Sequence, residues 1–216
     1  MINDKRKIFD VKGVSHMSEK KMVNVAKSLD MIAKTCVVVF RVFAVVFFVF
    51  AVLVLILGNK MYEAGSFTLD LDFVKFYLAD QYQTASVPLQ IFTIVSLVVV
   101  GGLCLAGSYV LKLLRDILQP MKEGRPFEES VPKKIRRIAW IELAGGFLLE
   151  VLAIAERAVT AAVYPIEQIF SSSAIAKIEY TYTMDFGFVL IFCVIMLLSY
   201  IFAYGQKLQQ ESDETL

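Results

Sequence analysis

Four ionisable residues lie within the otherwise apolar run "IAWIELAGGFLLEVLAIAERAVT", residues 138–160. They are Glu142, Glu150, Glu156 and Arg157. A helix turns by about 100° per residue, so all four side chains are predicted to share one face of a helix. Ionisable groups are costly inside a membrane, and where they occur they carry protons, line ion paths or bind polar ligands.

A structural role explains the same face without any transport. Gly145 and Gly146 lie on it, and small residues let two helices approach until buried polar groups can hydrogen-bond across the interface. Arg41, in the first apolar run, is the predicted partner of Glu142. Glu150 lies nearest to the middle of the membrane, where an ionised carboxylate needs a partner, hydration or a proton. Both roles stay open for this intramembrane polar site, which comprises the four residues and Arg41.

The element that must hold this face is one of four predicted membrane-spanning helices. The chain has 216 residues, and 57% of them are hydrophobic, which is well above the average for soluble proteins. A helix needs about 20 mostly apolar residues to cross a bilayer, and four runs meet this requirement: 37–57, 88–111, 138–159 and 186–204. The predicted organisation is a cytoplasmic amphipathic segment over residues 1–36, a four-span transmembrane domain over 37–204 and a cytoplasmic tail over 205–216.

The distribution of positive charge predicts the orientation of these helices. Lysine and arginine are concentrated in the N-terminal segment and in the loop between the second and third runs. Positively charged loops stay in the cytoplasm, so both termini and the middle loop are predicted to be cytoplasmic. The acidic tail then either docks on the basic loop or forms with it a surface for a cytosolic protein. This predicted cytoplasmic partner face consists of Lys122, Arg125, Lys133, Lys134, Arg136, Arg137, Glu211, Asp213 and Glu214.

Local signals predict where several helices begin and end. In the N-terminal segment, apolar residues recur at helical spacing among lysines, which predicts an interfacial helix with Ser18 as its N-cap. Pro120 lacks a backbone donor, so the second span is predicted to end near Gln119. Ser130 followed by Pro132 is typical of a helix start, which predicts that the third helix begins there.

Two segments with a period of two residues lie in the predicted external loops. Apolar and polar residues alternate in "SFTLDLDF", residues 66–73, and again in "KIEYTYTMDF", residues 177–186. A lone strand leaves its backbone groups unpaired, so the two segments are predicted to pair with each other. The predicted fold class is thus all-α, a four-helix transmembrane bundle with a small extracellular two-stranded β ribbon.

The sequence contains no motif of an enzyme, a metal site or a cofactor site. Zinc-protease, P-loop, nucleophile-elbow and dinucleotide-binding motifs are all absent from it. The single histidine, His16, cannot form a metal site alone, and the three cysteines include no CxxC pair. A non-enzymatic protein without cofactor or metal is therefore predicted, with the lipid bilayer as its first partner.

Two segments carry a resemblance to a known family. The loop "ILQPMKEGRPFEESVPKKIRRIAW", residues 117–140, and the C-terminal "YIFAYGQKLQQESDETL", residues 200–216, resemble those of the YoaS-like four-span bacterial membrane proteins, a domain of unknown function. Gly124, Pro126 and Phe127 before a basic helix start are a specific part of the match. The resemblance implies a multi-pass protein of the bacterial inner (plasma) membrane. It also implies a partner, because relatives are often encoded beside a small helix-turn-helix transcription regulator.

The leading functional hypothesis is a sensor or regulator that couples the membrane to such a cytosolic transcription regulator, with no direct binding of nucleic acid by this chain. The intramembrane charges also suit a small proton- or cation-coupled transporter, or an immunity protein against a membrane-active peptide, with Glu150 as the ionisable group. A homo-oligomer that pairs through the small face of the third span is a further alternative.

Overall fold

The computed structural model describes six stretches of the chain, which contain four helices and two short strands. The described residues are 2–64, 68–71, 74–77, 87–123, 127–164 and 183–214. In chain order the elements are α1 (Ile2–Ala64), β1 (Thr68–Leu71), β2 (Val74–Tyr77), α2 (Val87–Lys122), α3 (Ser130–Val163) and α4 (Gly187–Glu214).

The chain divides into two compact units, and three of the helices contribute residues to both. Unit 1 comprises Met1–Arg41, Leu105–Ala144 and Gly187–Leu216. Unit 2 comprises Val42–Cys104 and Gly145–Phe186. The helix α4 belongs wholly to unit 1.

All four helices are long and apolar enough to cross a membrane. The candidate spans are Val23–Gly58, Val87–Lys122, Ser130–Val163 and Gly187–Ser212. Many large apolar side chains on them face outward, for example Ile56 at 70% and Leu190 at 71% exposure. Outward apolar side chains are expected where lipid takes the place of water. The chain is therefore a multi-pass membrane protein, and the prediction of four helical spans is confirmed.

The first span and the segment before it form one continuous helix. α1 runs without a break from Ile2 to Ala64. Ser18 lies inside this helix, so the predicted helix start with Ser18 as N-cap is wrong. The residues from Ile2 to Ala64 include no proline, and good helix formers flank Ser18, so the chain has no local reason to stop there.

One face of α1 carries a repeat of small residues that are buried inside the protein. This face, which we call the seam, consists of Ala26, Ala33, Val37, Ala44, Ala51 and Val54, none of them more than 8% exposed. The members follow one another at intervals of seven, four or three residues. Such spacing is typical of a helix that packs along its length against a neighbour at about 3.5 residues per turn. Short side chains at these positions let the neighbour approach closely.

α2 is a neighbour that α1 contacts in each unit. In unit 1, a Cβ atom placed on Gly107 would lie 2.7 Å from a ring carbon of Phe40. In unit 2, a Cβ atom placed on Gly101 would lie 3.1 Å from the ring of Phe48. Both glycines of α2 therefore make room for a phenylalanine of α1, and any larger residue at Gly107 would displace the ring.

The end of α2 lies three residues beyond the predicted position. The prediction placed it near Gln119, but the helix continues through Pro120 to Lys122. The amide of Glu123 then donates to the carbonyl of Pro120 at 3.1 Å and forms a turn. A proline in the last turn removes a single helical hydrogen bond, which is less disruptive than in a helix centre. The predicted start of α3 at Ser130 is confirmed.

A small apolar core in unit 1 joins three helices. Its buried centre consists of Ile117, Val131 and Ile135. Partly buried side chains pack against this centre, namely Met121, Ile138, Ile195 and Phe202. These residues come from α2, α3 and α4, so the first turns of α3 are anchored between the other two helices. This anchoring positions the basic residues that precede and follow Ile135.

The predicted ribbon between the two external loops is wrong. β1 pairs with β2 as an antiparallel hairpin, with Thr68 opposite Tyr77 and Leu71 opposite Val74. Both strands belong to the first loop, so this segment finds its backbone partner locally, at a smaller cost in chain entropy than pairing with a distant loop. The second predicted strand lies mostly in residues 165–182, outside the described residues, and residues 183–186 form no strand. The helical part of the predicted fold class fits.

We expect Gly107→Ala to destabilise the protein, because the added methyl group would overlap the Phe40 ring. Overpacking of this kind costs about 1–3 kcal/mol. Gly102→Ala is the matched control on the same helix, since nothing lies within 4 Å of a Cβ atom built there. Thermal unfolding in detergent, followed by circular dichroism, should show a lower Tm for Gly107→Ala only. Equal Tm values for the two variants would contradict the close approach of α1 and α2.

Candidate functional site

An acidic residue of α1 binds two cations of α2 in unit 1. The Nε of Arg115 donates to Oδ1 of Asp30 at 2.8 Å, and the Nζ of Lys122 donates to Oδ2 at 2.6 Å. The side chains of Asp30, Arg115 and Lys122 are 21%, 35% and 18% exposed, so the group is partly shielded from solvent. We call these three residues the Asp30 clamp.

The seam of α1 explains the position of the clamp. Asp30 lies four residues after Ala26 and three before Ala33, so it belongs to the face of α1 that is buried in the protein. Arg115 and Lys122 are seven residues, or about two turns, apart, which places them on one face of α2. Each carboxylate oxygen accepts a hydrogen bond from a different cation. The clamp therefore fixes both the rotation of α1 about its axis and its axial position relative to α2 within unit 1.

A lysine of α3 provides the hydrogen bond that a proline removes from α2. In a regular helix the amide of residue 120 would donate to the carbonyl of Asp116, but Pro120 has no N–H. The Nζ of Lys134 donates to this carbonyl at 3.1 Å. Its positive charge also lies near the C-terminal end of α2, where the helix dipole favours a cation. Lys134 therefore links the start of α3 to the end of α2.

Two adjacent arginines of α3 contact aromatic side chains on different helices. The guanidinium carbon of Arg136 lies 5.7 Å from the ring centroid of Tyr200 on α4, which is a cation–π distance. The Nη1 of Arg137 donates to the hydroxyl of Tyr109 on α2 at 3.1 Å. Both partners are neutral, so these contacts orient the guanidinium groups and leave their charge in place.

Two further members of the predicted cytoplasmic partner face have local partners, and two others lie outside the described residues. Lys133 pairs with Glu129 at 3.1 Å, and their side chains are 78% and 73% exposed. Glu211 lies 3.7 Å from Lys207 of its own helix. Outside the described residues are Arg125 and the side chain of Asp213.

The C-terminal helix is held to the start of α3 by a buried hydrogen bond and by ring packing. The hydroxyl of Ser199 donates to the carbonyl of Pro132 at 2.9 Å. The ring of Phe127 lies 5.9 Å from that of Phe202. Glu214, at the end of α4, is exposed. Lys122 and Glu211 pair with Asp30 and Lys207, respectively, so ionic docking of the tail on the loop stays a prediction.

Two members of the predicted intramembrane polar site bind backbone groups in unit 2. The Oε2 of Glu150 accepts the amide N–H of Asp185 at 3.1 Å. The Nη1 of Arg157 donates to the carbonyl of Thr183 at 3.2 Å. Both contacts fasten α3 to residues 183–186, the segment that precedes α4. Glu150 and Arg157 thus pair with backbone groups that lie outside regular structure.

The other three members of the polar site are placed differently. Glu142 is partly buried, whereas Glu156 and Arg41 are exposed. No ion pair joins Arg41 to Glu142 in the part of the chain that the structure describes. Within the same residues, no three His, Cys, Asp or Glu side chains are close enough together to hold a metal ion. Glu150 and Arg157 are the two members that contacts bring to the same segment.

The central residue of the Asp30 clamp is missing from the predicted sites. Asp30 stands between Lys27 and Lys34 in a stretch that the sequence predicts to be an interfacial amphipathic helix. The signal that could have found it is the seven-residue recurrence of alanine around it, because an acid on a buried stripe needs a cationic partner. Tyr109 and Tyr200 were missed because nothing in the sequence indicates which neutral side chain an arginine will contact. That contact depends only on how the helices pack in the folded protein.

Comparison with known proteins identifies one family. The family described as "Protein of unknown function (DUF2975)" matches residues 75–216. This range begins in β2 and includes α2, α3 and α4. It therefore contains Arg115 and Lys122 of the clamp, while Asp30 precedes it. No curated protein and no solved structure matches the chain.

We expect Asp30→Asn to lower the free energy of unfolding, because Arg115 and Lys122 would lose their carboxylate while partly shielded from water. After allowance for solvent screening, the loss should be about 1 kcal/mol. Glu129→Gln is the matched control, since it breaks the exposed pair with Lys133 and should change the free energy by less than about 0.5 kcal/mol. Chemical denaturation in detergent measures both. An equal effect of the two substitutions would mean that the clamp is no stronger than a solvated ion pair.

A second prediction concerns Lys134 and Pro120, which should be energetically coupled. Lys134→Met removes the side-chain donor to the carbonyl of Asp116 and should destabilise the protein by about 1 kcal/mol, the net contribution of one hydrogen bond. In a Pro120→Ala background, the new alanine N–H can donate to the same carbonyl, so Lys134→Met should cost less. A double-mutant cycle of unfolding free energies gives the coupling directly. A cost for Lys134→Met that is the same in both backgrounds would show that Lys134 does not replace the missing helical bond.

Proposed function

The chain belongs to the DUF2975 family of proteins of unknown function, and from that premise we propose that it is a non-enzymatic membrane regulator. Its proposed partner is a cytosolic helix-turn-helix transcription regulator, which the resemblance to YoaS-like bacterial proteins suggests. In this proposal the spans respond to a signal in or outside the membrane, and the response changes the engagement of the regulator.

The observation that supports the proposal is the Asp30 clamp, which lies just after the N-terminal part of α1. α1 extends as a helix from Ile2 to Ala26, which corresponds to about 36 Å at 1.5 Å per residue. We call residues 2–25 the arm. The clamp joins the helix just beyond the arm to the end of α2 through Arg115 and Lys122. The arm is thereby mechanically connected to a membrane span other than its own.

The clamp provides a physical route by which a signal reaches the arm. A shift or rotation of α2 moves Arg115 and Lys122, and Asp30 then has to follow or lose its partners. A change of about 1 kcal/mol corresponds to about a fivefold change in the ratio of two arm positions. A small ionic contact is therefore sufficient to bias a switch, without any large rearrangement.

The proposed orientation places both termini and the α2–α3 loop in the cytoplasm of a bacterial cell. Unit 1 holds the basic side chains that support this orientation under the positive-inside rule, including Arg115, Lys122, Lys134, Arg136 and Arg137. The arm belongs to the same unit. A cytosolic partner would then meet the arm and the loop on one side of the membrane.

The alternatives have less support from the contacts. A proton- or cation-coupled transporter, or an immunity protein, would use the Glu150 carboxylate, and one oxygen of this group already accepts the Asp185 amide. A homo-oligomer would use the small face of α3, where Ala139 is fully buried and a Cβ atom on Gly145 would lie 3.5 Å from Leu103. These two residues thus have partners within the chain.

The test is co-purification of the neighbouring regulator together with a reporter gene under its control. The tagged protein is expressed in the native host together with any helix-turn-helix regulator encoded beside it, and four forms are compared: wild type, a deletion of residues 2–22, Asp30→Asn and Glu129→Gln. Wild type and Glu129→Gln should retain the regulator and regulate the reporter. The deletion should lose the regulator, and Asp30→Asn should alter reporter output with the protein still in the membrane.

Recovery of the regulator with the deletion at the wild-type level would contradict a role for the arm. Reporter output that is the same for wild type and Asp30→Asn would contradict the clamp as the route. Glu150→Gln distinguishes a regulator from a proton-coupled transporter, because glutamine keeps an acceptor for the Asp185 amide but cannot carry a proton. A regulator should tolerate it, whereas a proton-coupled transporter should lose flux.

A further inference from the structure

We propose that the surface where Arg136 of α3 lies over Tyr200 of α4 binds the headgroup phosphate of an anionic phospholipid, with Arg136 as the main ligand. The inference is independent of the proposed regulatory function, since it concerns contact with lipid rather than with a cytosolic protein. Three observations support it: the charge of Arg136, which has no carboxylate partner among the described residues, the aromatic residues around it and the gradient of polarity along α4.

Arg136 is a positive charge without a negative partner in the described part of the chain. Other cations of unit 1 pair with carboxylates: Arg115 and Lys122 share Asp30, Lys133 has Glu129, and Lys207 has Glu211. Arg136 instead lies over the ring of Tyr200, at 5.7 Å from its centroid. The ring holds the guanidinium in place without using its N–H donors, which stay available to an anion.

The aromatic residues beside Arg136 are those expected at the level of lipid headgroups. Trp140, one turn further along α3, lies 5.2 Å from the ring of Phe192 on α4 and is 56% exposed. Tyr200 and Tyr204 of α4 are exposed to a similar extent. Tryptophan and tyrosine concentrate at the membrane interface, because they have an apolar ring and a polar group that favours water. The guanidinium therefore lies at phosphate depth.

The surface of α4 changes in polarity along the helix in the order found across half a bilayer. Its first part exposes apolar side chains such as Leu190 and Leu197. The tyrosines at 200 and 204 follow, and Lys207 and Glu211 come last, both strongly exposed. Arg136 of α3 lies beside Tyr200, where the apolar part of the α4 surface ends and the tyrosines begin. This continuity with a lipid-facing surface favours a lipid over a soluble anion or a protein as the occupant.

The test uses Trp140, the only tryptophan in the chain, as a fluorescence reporter. The protein is reconstituted into vesicles of phosphatidylcholine that contain increasing fractions of either brominated phosphatidylglycerol or brominated phosphatidylcholine. Bromine quenches tryptophan only at short range, so the two titrations compare the lipids beside Trp140. A bound headgroup should give about a fivefold preference for the anionic lipid, the usual effect of one arginine near an anionic surface.

Arg136→Gln should reduce this preference to near one. Arg137→Gln is the matched control, because it removes the same charge from the next residue, which contacts Tyr109 on α2, and it should retain most of the preference. Circular dichroism verifies folding. If Arg136→Gln does not fold, Tyr200→Leu keeps the charge but removes the ring beneath the guanidinium, and it should also lower the preference.

Three results would overturn the proposal. The first is equal quenching of the wild-type protein by both brominated lipids. The second is a preference that survives Arg136→Gln, or that Arg137→Gln lowers to the same extent, since either would indicate a diffuse surface potential. The third is loss of the preference when millimolar glycerol phosphate is added, which would identify a site for free phosphate esters instead of a membrane lipid.

Discussion

The close approach of α1 to its neighbour is the constraint on which the described contacts of unit 1 depend. Lipid is as apolar as the side chains it would replace, so two helices in a membrane gain little from apolar burial and instead need close packing and hydrogen bonds. The alanines of the seam allow such packing, and Gly107 makes room for Phe40 on the opposite helix. Because Asp30 lies between Ala26 and Ala33 of the seam, the approach also brings a carboxylate within reach of two cations.

The cations near the ends of α2 and α3 then differ in the chemistry of their partners. Those of the clamp have a carboxylate, and Lys134 has the carbonyl that Pro120 leaves without a donor. Arg136 and Arg137 have neutral aromatic partners. Cations with acidic or backbone partners hold helices together, whereas an oriented arginine that keeps its charge can still bind something else. This distinction separates the structural part of the basic surface from the part proposed to meet lipid.

The four spans and the start of α3 at Ser130 could be predicted, because length, apolar composition and a serine near a proline are local properties of the sequence. The pairing of the β strands could not be predicted, since alternation identifies a strand but not its partner. The strand pairs within its own loop, which costs less chain entropy than pairing with a distant loop. Asp30 could not be found from charge alone, because the lysines around it indicate an interfacial helix. Glu150 was predicted as a polar residue of the third span, but its contact with the Asp185 amide could not be predicted, because it depends on how the segment before α4 lies against α3.

Hydrogen exchange measured by mass spectrometry on the protein in lipid nanodiscs tests the central claim most directly. The claim is that Asp30 joins α1 and α2 into one cooperative element beyond the apolar runs. Amides of residues 23–35 and 113–122 should exchange slowly in the wild type, and Asp30→Asn should speed exchange in both segments together. Rapid exchange of residues 23–35 in the wild type, or faster exchange in only one segment of the variant, would contradict the account.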